Sequence, residues 1–171
     1  MTATRPQPDD AFLALFEEHF DYVCRTLRRL GCAASDLEDL AQEVFLAVYR
    51  GRDRYDPSRP MRPWLFGIAR NVARAHRRRK RPESPLVDRD GRKSDPGYRA
   101  FESADLVYAA LATLDEPLRE VLVLRDLEQL PPDRVAERLG LPVATVFDRL
   151  RRARDAFRRA ARRLHGGPVD A

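Results

Sequence analysis

The chain has 171 residues, of which 35% are charged and 43% hydrophobic, and it carries a formal net charge of +5. That length accommodates one domain or two small ones. With 32 basic residues against 27 acidic ones, the placement of charge says more than its sum. No apolar run approaches the roughly 20 residues needed to span a bilayer, and residues 1–10 lack the basic start and apolar stretch of a secretory signal. These absences predict a cytoplasmic protein with no membrane contact. Cys24 and Cys32 have no Cys/His neighbours at zinc spacing, which fits two reduced thiols or, alternatively, a redox pair. His19, His76 and His165 are scattered, so no metal and no cofactor is expected.

Residues 11–30 place Phe12, Leu15, Phe16, Phe20, Val23 and Leu27 at helical spacing, with Asp9 or Asp10 as a cap and Gly31 as the stop. This is a core helix without chemistry. Residues 35–50 open with Ser35 and Glu38, the spacing of a capping box. Leu37, Leu40, Ala41, Val44, Phe45 and Val48 give that helix a broad apolar face. Its first half is acidic through Asp36, Glu38, Asp39 and Glu43, with Gln42 among them. Acids near a helix start favour the dipole, which accounts for Asp36 and Glu38 but poorly for Glu43. An acidic face in a basic protein calls for a basic protein surface as its partner.

Residues 51–63 read as a loop punctuated by Gly51, Pro57, Pro60 and Pro63. The helix predicted over 64–81 turns Trp64, Leu65, Ile68, Val72 and Ala75 inward. Arg70, Asn71, Arg74, Arg77, Arg78, Arg79, Lys80 and Arg81 leave the rest basic, with no acid between Trp64 and Pro82. Trp64 suits either a core anchor or a ring that stacks on an unpaired base. The stretch from Pro82 onward, with Pro85, Gly91, Pro96 and Gly97, reads as a flexible linker over 82–103. Two further helices are predicted over 104–114 and 116–130, with Asp115 capping the second.

The remaining pattern is a short helix, a glycine turn and a longer helix. Pro131 and Pro132 suit a first helical turn, where a missing N–H costs nothing. Val135, Ala136 and Leu139 give that helix its apolar face, and Gly140 can end it in the left-handed region. Pro142 starts the second helix, whose buried stripe is Val143, Val146, Leu150, Ala153, Phe157, Ala160 and Leu164. Thr145, Asp148, Arg149 and Arg152, at i, i+3, i+4 and i+7, form a polar face. The pattern over Pro132 to Arg152 fits a helix-turn-helix, although a plain helical hairpin shares it. Charge favours the DNA reader: residues 143–163 hold eight arginines against two aspartates, where a structural helix mixes the signs more evenly.

The blocks DLEDLAQEVFLAVYR, YDPSRPMRPWLFGIARNVARAHRRRKR, LDEPLREVLVLRDLEQL and VAERLGLPVATVFDRLRRAR, in this order and spacing, resemble bacterial RNA polymerase sigma factors of the extracytoplasmic-function (ECF) group. The resemblance implies an all-α chain of two small helical bundles: a domain over 1–81, a linker over 82–103 and a helix-turn-helix domain over 104–171. It implies no enzymatic activity and no cofactor. Asp36, Asp39, Leu40, Gln42 and Glu43 would dock on the clamp helices of the largest subunit of core RNA polymerase. Trp64, Arg70, Asn71, Arg74, Arg77 and Arg78 would contact and open the minus-ten element of promoter DNA. Thr145, Asp148, Arg149 and Arg152 would read the minus-thirty-five element. An anti-sigma factor is a further partner that the resemblance admits. The chain departs from the family pattern at Ala75, where aspartate is common, and at Phe147 and Asp148, where a lysine or tyrosine and a serine are commoner.

Two other classes compete. A free-standing regulator that binds an operator needs neither the acidic helix nor the Trp64 loop. A nuclease or recombinase needs a clustered metal or nucleophile site, and the acids of residues 36–43 lie on one helix with no second cluster.

Overall fold

The computed structural model describes residues 10–80 and 103–166, and among these the regular structure is helical, with no strand. The chain divides into two compact units, Met1–Arg28 with Cys32–Arg78, and Arg29–Gly31 with Arg79–Ala171. The linker expected over 82–103 falls outside the described residues, apart from Ser103.

The first unit is built from α1 (Asp10–Arg29), α2 (Leu37–Gly51) and α3 (Met61–Lys80). Gly31, at φ 89°, ends α1. The Cys32 N–H then donates to the Leu27 carbonyl at 3.0 Å, closing the helix end as glycine stops commonly do. Val23, Leu27, Leu40, Ala41, Val44, Val48, Leu65, Ala69 and Ala73 are buried to within 1% of full enclosure. Each fully buried Val or Leu side chain contributes about 1.5–3 kcal/mol. The amino-terminal half of α1 joins α2 through rings: Phe16 lies 4.6 Å from Phe45 and 5.1 Å from Phe20, and Phe12 meets Tyr49 edge-on at 5.0 Å.

Three expectations for this unit are corrected. The capping box of Ser35 and Glu38 does not form, because a 3₁₀ turn over Ala34–Asp36 precedes α2 and takes Ser35 out of the cap position. The third helix starts at Met61 rather than Trp64. Pro63 falls in its first turn, where backbone N–H groups have no helical partner, so it does not stop the helix. The Tyr22 hydroxyl donates to the Arg62 carbonyl at 3.3 Å and ties this early start to α1. The inward face of α3 is Leu65, Phe66, Ala69 and Ala73, while Trp64, Ile68, Val72 and Ala75 are half-buried. Alanines carry little apolar signal in a sequence, yet here they mark the closest approach.

The second unit contains α4 (Ser103–Ala112), α5 (Glu116–Leu122), α6 (Pro132–Leu139) and α7 (Val143–Leu164). A single helix over 116–130 is not what forms. After Leu122 the chain widens into a π-helical stretch, Val123–Leu127, and Gln129 takes φ 58° to leave it. Asp126, within that stretch, accepts from Arg154 of α7 through both carboxylate oxygens, at 2.9 and 2.7 Å. Such a two-pronged pair fixes geometry as well as adding energy.

Arg119 does for α4 what no cap residue does. Arg119 is 7% exposed, and its guanidinium donates to the carbonyls of Leu30, Leu111, Ala112 and Leu114, at 2.9, 2.7, 3.0 and 2.6 Å. Carbonyls at and just past a helix end run out of helical N–H partners, although Leu111 O also accepts from the Leu114 N–H at 3.2 Å, and Arg119 keeps them bonded where water is excluded. Further on, Gly140 ends α6 at φ 65°, ψ 39°, and the Leu141 N–H donates to Ala136 O at 2.9 Å. Three residues later α7 begins. It packs against α4, α5 and α6 with Val146, Leu150, Ala153 and Ala160 buried; Phe157 and Leu164 are half-buried and Val143 is exposed. The predicted stripe therefore holds except at its first residue.

Candidate polymerase and nucleic-acid surfaces

On α2 the burial of Leu40, Val44 and Val48 turns Asp39, Gln42, Glu43 and Leu46 to the opposite side, since residues three, four and seven apart share a face. Asp39 and Gln42 are exposed, Glu43 is half-buried, and Leu46, at 54% exposure, is an apolar spot within the acidic strip. Two expected docking residues stand elsewhere. Leu40 is 1% exposed and belongs to the core, because it falls on the buried stripe with Val44 and Val48. The Asp36 carboxylate lies 3.0 Å from the His76 Nε2 of α3, so it braces the two helices instead of facing outward. Leu46 was not expected; its place three residues after Glu43 is the signal that finds it.

The α3 sequence contains no acid. Asn71, Arg74 and Arg78 fall on the side away from Leu65, Ala69 and Ala73, with Asn71 and Arg78 exposed, while Arg70 and Arg77 are half-buried at the edge of the core face, with guanidinium nitrogens enclosed. Trp64 sits at the foot of this side. Its ring lies 4.9 Å from that of Tyr55 at an interplanar angle of 32°. The Tyr55 hydroxyl donates to Arg59 O at 2.6 Å. Asp56 accepts from the N–H and hydroxyl of Ser58, at 3.0 and 2.7 Å. Those bonds, with Arg59 nearby, hold the Asp56 carboxyl below its usual range. The turn before α3 is thus locally bonded. Tyr55 escaped the sequence reading, although an aromatic in a Pro- and Gly-flanked turn is a usable cue.

In α7, Asp148 pairs with Arg151 at 3.1 Å and with Arg152 at 3.8 Å, and all three are exposed. Asp155 pairs with Arg158 at 3.1 Å. Thr145 and Arg149 are half-buried at the flank of the buried stripe. The middle of the solvent side is held by Ala144, Asp148 and Arg151, so Arg149 lies at its edge, and Arg151 is a surface residue the sequence reading missed. A helix drawn from spacing alone has no fixed zero of rotation. The burial of Val146, Leu150 and Ala153 sets it.

Among the described residues no group of His, Cys, Asp and Glu could hold a metal ion. Cys24 and Cys32 are free thiols, and burial, with Asp21 adding to it, pushes the Cys24 thiol above its usual range. A raised thiol is a poor nucleophile.

Residues 15–83 match the Sigma-70 region 2 family model, and residues 104–157 match that of Sigma-70, region 4. The ECF RNA polymerase sigma factor RpoE of Cereibacter sphaeroides is 31% identical over 92% of this chain and 91% of its own. The chain belongs to the ECF sigma factors. The ECF sigma factor SigW of Bacillus subtilis is 27% identical, with 91% of each chain aligned. A solved structure of CnrH in complex with the cytosolic domain of CnrY superposes with a TM-score of 0.59 at 28% identity, covering 88% of this chain and 87% of that one. This sigma factor is a promoter-specificity subunit of RNA polymerase. Among the described residues, no helix is long and apolar enough to cross a membrane.

Proposed function

We propose that this sigma factor divides its work among three helices. The exposed Asp39 and Gln42, with Glu43 and Leu46 beside them, dock on the clamp helices of core polymerase. The acid-free α3, with Arg70, Asn71, Arg74, Arg77 and Arg78, lies along the minus-ten element, and the Tyr55–Trp64 pair at its foot offers rings to an unpaired base. The helix-turn-helix of α6 and α7 places α7 at the minus-thirty-five element, with Thr145, Asp148, Arg149, Arg151 and Arg152 on its outer side and flank. The domains are 1–81 and 104–171, with 82–103 as linker. The factor works in the cytoplasm and performs no catalysis itself. An anti-sigma factor is a further partner in this reading; the structural neighbour CnrH was itself solved with a partner protein, the cytosolic domain of CnrY.

The observation that carries the reading is the opposite charge of two adjoining helices in one small unit, an acidic α2 and an acid-free basic α3. One surface suits a basic protein and the other a polyanion. Run-off transcription with core polymerase, followed by sequencing of the transcript starts, tests it. Defined starts are expected only when both components are present. Tight operator binding by the chain alone, with no effect on core polymerase, overturns it in favour of a free-standing regulator.

A further inference from the structure

Recognition helices meet base edges chiefly with their amino-terminal residues. Among the first eight residues of α7, Val143–Leu150, the exposed ones are Val143, Ala144, Phe147 and Asp148. Three of the four are apolar. Phe147 is 56% exposed and Val143 42%, and at i and i+4 they adjoin on one face. None of the four side chains carries an N–H or O–H donor at neutral pH. The one carboxylate, Asp148, is engaged by Arg151 and Arg152. Every arginine of α7 comes later, from Arg149 onward, so the positive charge that attracts DNA surrounds an apolar tip on one side only.

Guanine presents two acceptors in the major groove, and a surface without donors, edged by a carboxylate, cannot satisfy them. What the major groove offers an apolar side chain is the thymine 5-methyl group. We infer that Val143, Ala144 and Phe147 form an apolar platform that reads thymine methyls in the minus-thirty-five element, with Asp148 holding Arg151 and Arg152 beside it. The inference rests on α7 lying in the major groove of that element.

The test uses holoenzyme and duplexes carrying a mapped promoter, in which each thymine of the minus-thirty-five element is replaced singly by deoxyuridine, which lacks only the methyl. At one or two positions the wild-type holoenzyme loses about fourfold in affinity, the size of one methyl group returned to water. Phe147→Ala binds the thymine duplex correspondingly more weakly and shows no further loss with deoxyuridine at those positions. Because Phe147 is exposed, the variant keeps the wild-type circular dichroism. If scrambling the whole element weakens wild-type binding but no deoxyuridine does, the methyl platform is wrong and the placement of α7 stands. Scrambling without effect removes the placement itself. Should Phe147→Ala weaken core polymerase binding and leave DNA binding unchanged, the apolar tip faces protein, and the inference is overturned.

Discussion

The two units handle charge in opposite ways. In the first, charge is sorted by helix: α2 collects Glu38, Asp39 and Glu43, while α3 has arginines and no acid at all. In the second it is interleaved. Asp148 and Asp155 sit among eight arginines of α7 and pair with Arg151, Arg152 and Arg158, and Arg154 is held by Asp126 from the π-helical stretch. Sorted charge makes two strong fields of opposite sign and suits two different macromolecules. Interleaved charge makes a weaker field with arginines held in place, which suits positioning on a duplex and leaves discrimination to what the helix tip presents.

The largest effect is expected where sorting is reversed. Asp39→Arg with Glu43→Arg places like charges against a basic partner at a cost of several kcal/mol, so core polymerase binding falls by roughly 100-fold or more. Fluorescence anisotropy of labelled sigma factor titrated with core reads it, and unchanged affinity would remove α2 as the docking helix. Next comes the buried brace of the second unit. Arg119→Ala removes the donor from four carbonyls, those of Leu30, Leu111, Ala112 and Leu114, and should cost about 3–5 kcal/mol of stability. Calorimetry of the full chain should find one transition lowered and the other unmoved.

A smaller loss follows from putting acids into the acid-free helix. Arg74→Glu with Arg78→Glu should weaken promoter binding by about tenfold at moderate salt and lower the log–log salt slope by about two. An unaltered slope would mean that α3 does not touch phosphate. Least is expected of the interleaved pairs. Asp148→Ala breaks exposed pairs, which contribute at most about 1 kcal/mol, so the melting temperature barely changes. With one negative charge gone, binding to non-promoter DNA should strengthen a few-fold, by roughly the contribution of a single phosphate contact. Equal binding by mutant and wild type would show that Asp148 lies off the DNA.

Much of the architecture was legible in residue order. Gly31 and Gly140 end their helices at positive φ as their type and place suggest, and the stripe Val146, Leu150, Ala153 and Ala160 is buried at the predicted spacing. The acidic and basic segments were visible as runs of like charge. Rotation about the helix axis was less legible. Leu40 and Asp36, which the resemblance made docking residues, are buried and paired with His76 respectively, and Arg149 of the predicted polar face lies at its flank. A periodic pattern gives the width of a face, while its bearing depends on which neighbours pack against it.

What the sequence determined by itself is the set of local events: which segments are helical, where glycine stops two of them, which carry an apolar side, and which sign of charge they bear. Those depend on near neighbours along the chain, through proline and glycine geometry and the 3.6-residue repeat. Tertiary structure alone decided that Arg119 caps α4, that Asp126 in a π-helical stretch receives Arg154, that the Tyr55 ring tilts against Trp64, and that the tip of α7 exposes Val143 and Phe147. In the first three cases, side chains from separate elements meet, and no spacing rule along the chain encodes the meeting. In the last, Val143 lies in register with the buried stripe and is still 42% exposed, while Val146 one turn on is fully enclosed, so where the core stops is set by packing and not by spacing.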